Sequence, residues 1–109
     1  TEEVAVDYVE PTEAQRKQAA ERSASTARIA AEHDRQNRIE ALESRIRSLK
    51  NARDRELAAL RHKKRYANNN LAGATWEQSI SQEMEAVASR YNADIQAVRD
   101  ELQAVRQED

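Results

Sequence analysis

Arg61-His62-Lys63-Lys64-Arg65 is the densest run of charge in the chain and the first place to look for chemistry. Its functional reading is an anion contact, in which Arg61, Lys63, Lys64 and Arg65 would hold phosphate, nucleic acid or an acidic surface. Its structural reading is a set of cations near a helix C-terminus, where the dipole favours them, facing an acidic second helix. The structural reading has the better support. No aromatic residues interleave the run to stack bases, and no glycines shape a loop around phosphate. The histidines, His33 and His62, are 29 residues apart. His33 and Asp34 are adjacent and would point in different directions on a helix. His33 and Asn37 share a face but bring no thiolate or carboxylate. Ser23, Ser25, Thr26, Ser44 and Ser48 have no base nearby to activate them. We therefore expect no enzyme activity, no metal site and no cofactor.

The elements that carry these residues come from an apolar ladder. In the last third of the chain it runs Trp76, Ile80, Met84, Val87, Tyr91, Ile95, Val98, Leu102, Val105. The rungs repeat every eleven residues, with Trp76, Val87 and Val98 in one register and Ile80, Tyr91 and Leu102 in another. Eleven residues over three turns gives about 3.67 per turn, close to a straight α-helix. A second stripe, Ile39, Leu42, Ile46, Leu49, Leu57, Leu60 and Leu71, lies upstream. Arg53 and Lys64 interrupt it, and their aliphatic stems could still cover it. Such stripes need a surface to bury them. The spacing predicts that each buries the other.

Composition agrees. Ala, Glu, Lys, Leu and Arg make up 58 of the 109 residues, with one Gly and one Pro. About half of a chain from these types, with helical periodicity, signals long helices. Alanine supplies 20 of the hydrophobic residues, and the large apolar ones suffice for a seam but not for a globular core. Chains with thin cores often rely on oligomerisation or a partner. The absence of Cys excludes disulfide and thiolate chemistry. No apolar run approaches the roughly 20 residues that span a bilayer, so no membrane span is expected.

The chain reads as all-α, an antiparallel helical hairpin or coiled coil with an extended N-terminal tail. Residues 1–11 form an acidic tail of charge −4 with strand-like alternation. It is either a disordered terminus or an extended docking peptide presenting Val4, Val6, Tyr8 and Val9. Thr12 and Gln15 form a capping box that opens helix 1, which should run from about 12 to about 70. Asn68 to Thr75 is the break. Asn tolerates left-handed conformations and Gly73 offers a hinge, so a turn is expected over about 71–75. Thr75 and Gln78 form a second capping box, for a helix over about 76–106. The strong seam of helix 1 matches helix 2 in length. Residues 39–71 carry nine basic and four acidic side chains, and residues 72–109 carry three and eight. These blocks of +5 and −5 favour pairing of the two stretches. Residues 12–109 thus form one hairpin unit, paired over 39–107, with an arm at 12–38. Ile29 is the arm's one large aliphatic residue. Its regular seam is Ala20, Ala24, Ala27 and Ala31, which helix 2 cannot reach, making it a second candidate docking surface. Trp76, beside the turn, is expected to cap the apolar end of the hairpin.

The segments QRKQAAERSASTARIAAEHDRQ (15–36) and LAGATWEQSISQEMEAVASRYNADIQAV (71–98) are Ala-, Gln- and Arg-rich helices around a glycine turn. In this the chain resembles coiled-coil virion proteins of tailed bacteriophages, of scaffolding, internal-core or tape-measure type. Bacterial secretion and cytoskeletal coiled coils share the style. The resemblance implies a structural role within a particle and assigns no individual functional residue. Three functions follow as expectations. The first is a structural or assembly protein with protein partners, as a homo-oligomer or within a larger assembly. The second is a nucleic-acid or anionic-surface binder using helix 1. The third is an adaptor or inhibitor that lays its arm along an enzyme.

Overall fold

The computed structural model describes residues 9–67 and 73–108. Two helices make up the ordered elements, α1 (Glu13–Ala67) and α2 (Gly73–Arg106), with no strand among the described residues. The architecture is an all-α helical hairpin. The chain divides into two units, Thr1–Asp34 and Arg35–Asp109.

In the first unit, α1 opens as its capping residues dictate. The Thr12 amide donates to Gln15 Oε1 at 3.0 Å, and the Gln15 amide donates to Thr12 Oγ1 at 3.2 Å. The Arg16 amide donates to the Thr12 carbonyl at 2.9 Å, the first turn of the helix. Two amides that a helix start leaves without partners are thereby satisfied. Thr26, inside the helix, turns its hydroxyl back to the Arg22 carbonyl at 2.9 Å. Most of this unit's described side chains, Ile29 among them, stand exposed.

In the second unit, residues 35–67 of α1 pack against α2. Four pairs of side chains set the direction: Arg38 with Glu108, Glu43 with Arg106, Arg53 with Asn92, and Glu56 with Arg90. Partner numbers fall along α2 as they rise along α1, so the helices run antiparallel. The core lies between them in two clusters. Ile46, Ile95, Val98 and Leu102 form one, with Ile39, Leu42 and Leu49 packed on it. Leu60, Ala67 and Ile80 form the other, with Met84 and Val87. Val105 is also buried. Between the clusters Leu57 and Tyr91 are half-buried. Arg53 is half-buried there too, its Nη1 donating to Asn92 Oδ1 at 2.8 Å and its Nε to Asp54 Oδ1 at 3.1 Å. Its stem covers the seam while its head stays in polar company, as the interrupted stripe suggests. Lys64 is likewise half-buried.

Four expectations are corrected. The helix expected from about 76 begins at Gly73, and Gly73 does not take a positive φ. The second capping box therefore does not open the helix: Thr75 already lies within α2. Local helix-forming residues, Ala74 among them, draw the glycine into the first turn, at the modest entropy cost glycine carries in a helix. Trp76 does not close the apolar end; it is 47% exposed. It lies one turn beyond Ile80, past Ala67, the last α1 residue in that cluster. Pairing starts at Arg35 rather than Ile39, because long guanidinium side chains reach Glu108 where no apolar rung exists. Finally, two of the ion pairs across the hairpin each join an acid of 39–71 to a base of 72–109. The Glu43–Arg106 and Glu56–Arg90 pairs run against the net charge of their helices. Most of each block's charge faces solvent, where interactions are weak and screened. Leu71 and the end of helix 1 expected at about 70 fall outside the described residues.

Candidate interaction surfaces

Three surfaces remain once the hairpin seam has been closed. On the first unit, Ala20, Ala24, Ala27 and Ala31 all stand exposed, at spacings that place them on one helix face. Ile29 is 63% exposed and lies on the opposite side of the same helix, two residues and so about 200° of turn from Ala27 and from Ala31. Lys17, Glu21, Arg28 and Asp34 flank the alanines and are exposed. Among the described residues no ion pair engages Lys17, Glu21 or Arg28. A shallow open groove on another side of this unit is lined by Gln18, Glu21, Arg22 and Ser25.

The second surface is the basic run at the end of α1. Arg61, Lys63 and Arg65 are exposed, and Lys64 is half-buried. Lys64 and Arg65 occupy the last turn, where the helix dipole favours cations. Among the described residues none of the four has an acidic partner. The expected facing of an acidic α2 is therefore not realised as ion pairs. Tyr66, which the sequence reading passed over, is 63% exposed beside the run. Its ring meets the His62 ring edge-to-face, with centroids 4.9 Å apart at 78°. The i to i+4 spacing of two aromatic rings was the available signal.

The third surface is the open end of the hairpin. Arg38 clamps Glu108 with both terminal nitrogens, at 3.0 and 2.6 Å, and Arg35 donates to the Glu108 carbonyl at 2.7 Å. Hydrogen bonding from Arg38, reinforced by the charges of Arg38 and Arg35, holds the Glu108 carboxyl below the ordinary glutamate range, against a smaller opposing effect of desolvation. This is a closing device rather than a reactive site, because the carboxylate is already committed to its donors.

Of the tail, Val4, Val6 and Tyr8 fall outside the described residues, and Val9 is 81% exposed. On the hairpin itself, Arg45, Leu49, Asp94, Ala97, Val98 and Glu101 line an open groove with no deep cavity for a small molecule. Among the described residues no three His, Asp or Glu side chains gather as metal ligands. No described helix is long and apolar enough to cross a membrane. Compared with known protein families, curated proteins and solved structures, the chain matches none.

Proposed function

We propose that this chain is a non-enzymatic structural or assembly protein that works through helix packing, as a homo-oligomer or as a component of a larger assembly such as a virus particle. One observation carries the reading. Residues 13–34 form a capped helix with a regular alanine face that stays wholly exposed, while residues 35–106 bury their apolar seam. Isolated helices are marginal in water and gain most of their stability from packing. A helix that presents such a face is completed by another molecule.

Hydrogen exchange on the intact chain across a range of concentrations tests this. Amides of residues 39–105 are expected to be protected at every concentration. Those of residues 13–34 are expected to exchange rapidly in dilute solution and slowly once the chain assembles. Strong protection of 13–34 in the dilute monomer, or assembly that leaves those amides fast, would refute the reading.

The basic run supports a second reading, because its cations lack acidic partners and Tyr66 stands exposed beside them. In that reading the end of α1 contacts nucleic acid or another anionic surface. Binding would weaken steeply with salt as counterions are displaced. Replacing Arg61, Lys63 and Arg65 together by Gln would abolish it. Salt-insensitive assembly unaffected by that triple change would leave the packing role alone.

A further inference from the structure

Lys17, Glu21, Arg28 and Asp34 alternate in sign along the alanine face. Ala24 and Ala27 lie equally far from the point between Ser25 and Thr26, and so do Ala20 and Ala31. Lys17 and Asp34 are related by the same midpoint and carry opposite charge. Glu21 and Arg28, each one residue beyond a seam alanine and on the same side of the helix, also carry opposite charge, about a midpoint one residue away, between Ala24 and Ser25. A two-fold symmetric contact sets residue i of one copy against residue j of the other, and j against i. An antisymmetric charge pattern is what makes such a contact attractive at both ends.

We infer that residues 13–34 pair with the same segment of a second copy, antiparallel, through the alanine face. The inference rests on the assembly reading above and names its partner. In this pairing Ala24 layers on Ala27 of the other copy, and Ala20 on its Ala31. The alanines let two helices approach at the close end of the usual ~8–10 Å axial range. At the two ends of the seam Lys17 meets the other copy's Asp34, and at its edge Glu21 lies two residues, about 3 Å along the axis, from the level of the other copy's Arg28. Each pair occurs twice. Lys17, Glu21 and Arg28 are exposed and bring no competing ion pair among the described residues. Asp34 keeps a polar interaction within its own chain, and a carboxylate has lone pairs for a second donor.

A parallel pairing fares worse. It sets Lys17 against Lys17 and Asp34 against Asp34 at the seam, and recovers only Arg16 against Glu21. The repulsive element selects the antiparallel partner as much as the attractive ones do. Ile29, on the far side of the helix, takes no part.

The test uses the intact chain, which contains no cysteine. Ala20→Cys and Ala31→Cys variants are made separately and oxidised alone and mixed. A disulfide needs Cα atoms within about 7 Å. In the antiparallel pair two copies of residue 20 lie about 16 Å apart, from eleven residues at about 1.5 Å rise. The mixture is expected to give a disulfide-linked heterodimer, and each variant alone none. Cross-linking of Ala20→Cys with itself would overturn the antiparallel arrangement. A charge exchange provides the second arm, read by sedimentation equilibrium. Glu21→Arg should weaken the dimer about tenfold, and adding Arg28→Glu in the same chain should restore it to within about threefold. Failure of the double variant to recover would overturn the pairing. Ile29→Ala should leave the dimer constant within about twofold. A wild-type chain that stays monomeric to millimolar concentration would overturn the dimer. The broader assembly reading would then stand or fall on whether residues 13–34 become protected in a mixed assembly with another protein.

Discussion

Residues 13–34 and 35–67 belong to one uninterrupted helix, yet they live by different physics. The second stretch buries Ile46, Leu60 and Ala67 against α2 and is held by contacts. The first holds its shape by propensity, a capping box and side chains that touch little. Both read as helix because alanine, arginine, glutamate and glutamine favour helix whether or not they are buried. The difference shows that helical propensity decides where a helix can form, while the size of the apolar residues on one face decides what it can do. Leucine and isoleucine at seam spacing complete a hairpin within the chain. Alanine at the same spacing leaves a face that stands exposed.

The comparison breaks most sharply at Ile95, which is 2% exposed in the centre of the larger core cluster. Ile95→Ala removes three carbons from a packed site and is expected to cost about 2–4 kcal/mol of hairpin stability. Urea unfolding followed by circular dichroism measures it. A loss under about half a kcal/mol would mean the seam is not buried as described. Ile29→Ala removes the same atoms from a side chain that is 63% exposed. It should change hairpin stability by no more than about 0.5 kcal/mol, as surface substitutions usually do. Equal losses at the two isoleucines would erase the distinction between the two stretches.

Thr12→Ala probes the other side of the comparison at a smaller scale. It removes the hydroxyl that accepts from the Gln15 amide. Losing a threonine cap costs about 1 kcal/mol of helix stability. In a stretch held by propensity that cost falls locally, so amides of residues 13–20 should exchange several-fold faster. The urea midpoint of the hairpin should not move. A matching shift in that midpoint would show that the first stretch and the hairpin unfold as one cooperative unit.

Much of this structure was legible because its causes are local. Thr12 and Gln15 are three residues apart, and both hydrogen bonds of their capping box are present. The ladder from Ile80 to Val105 repeats with the helix, and Ile80, Ile95, Val98, Leu102 and Val105 are all buried. What escaped depends on register between distant residues. Arg35 and Arg38 lie 73 and 70 positions from Glu108, and nothing local marks them as partners. Net charge by segment pointed to the pairing but not to its contacts, since Glu43 and Glu56 on the basic helix bind Arg106 and Arg90 on the acidic one. Trp76, expected to cap the apolar end from its place at the first rung beside the turn, is 47% exposed. Periodicity gives the face of a helix but not what packs on each rung. For the candidate surfaces, exposed alanines are legible as a seam, whereas their opposing charges gain meaning only once two antiparallel copies are laid together.

The smallest expected effect lies at the Arg38–Glu108 closure, where both side chains are 44% exposed. The Glu108 carboxyl is held below its ordinary range, chiefly by its hydrogen bonds from Arg38. A carboxyl whose folded pKa is depressed stabilises the fold above its unfolded pKa, and that contribution disappears as pH falls through the folded value. The closure is therefore intact at neutral pH and loosens only in acid, below the ordinary glutamate range. Amide exchange near residues 35–38 and 105–108 should then rise relative to the core around Ile95, after correction for the intrinsic pH dependence of exchange. Glu108→Gln should remove that acid-induced change and leave a slightly frayed end at every pH. Screening limits exposed pairs of this kind, so added salt should mimic part of the effect. If Glu108→Gln leaves both the exchange at neutral pH and its acid dependence as they are in the parent chain, the clamp contributes nothing, and the apolar seam alone closes this end of the hairpin.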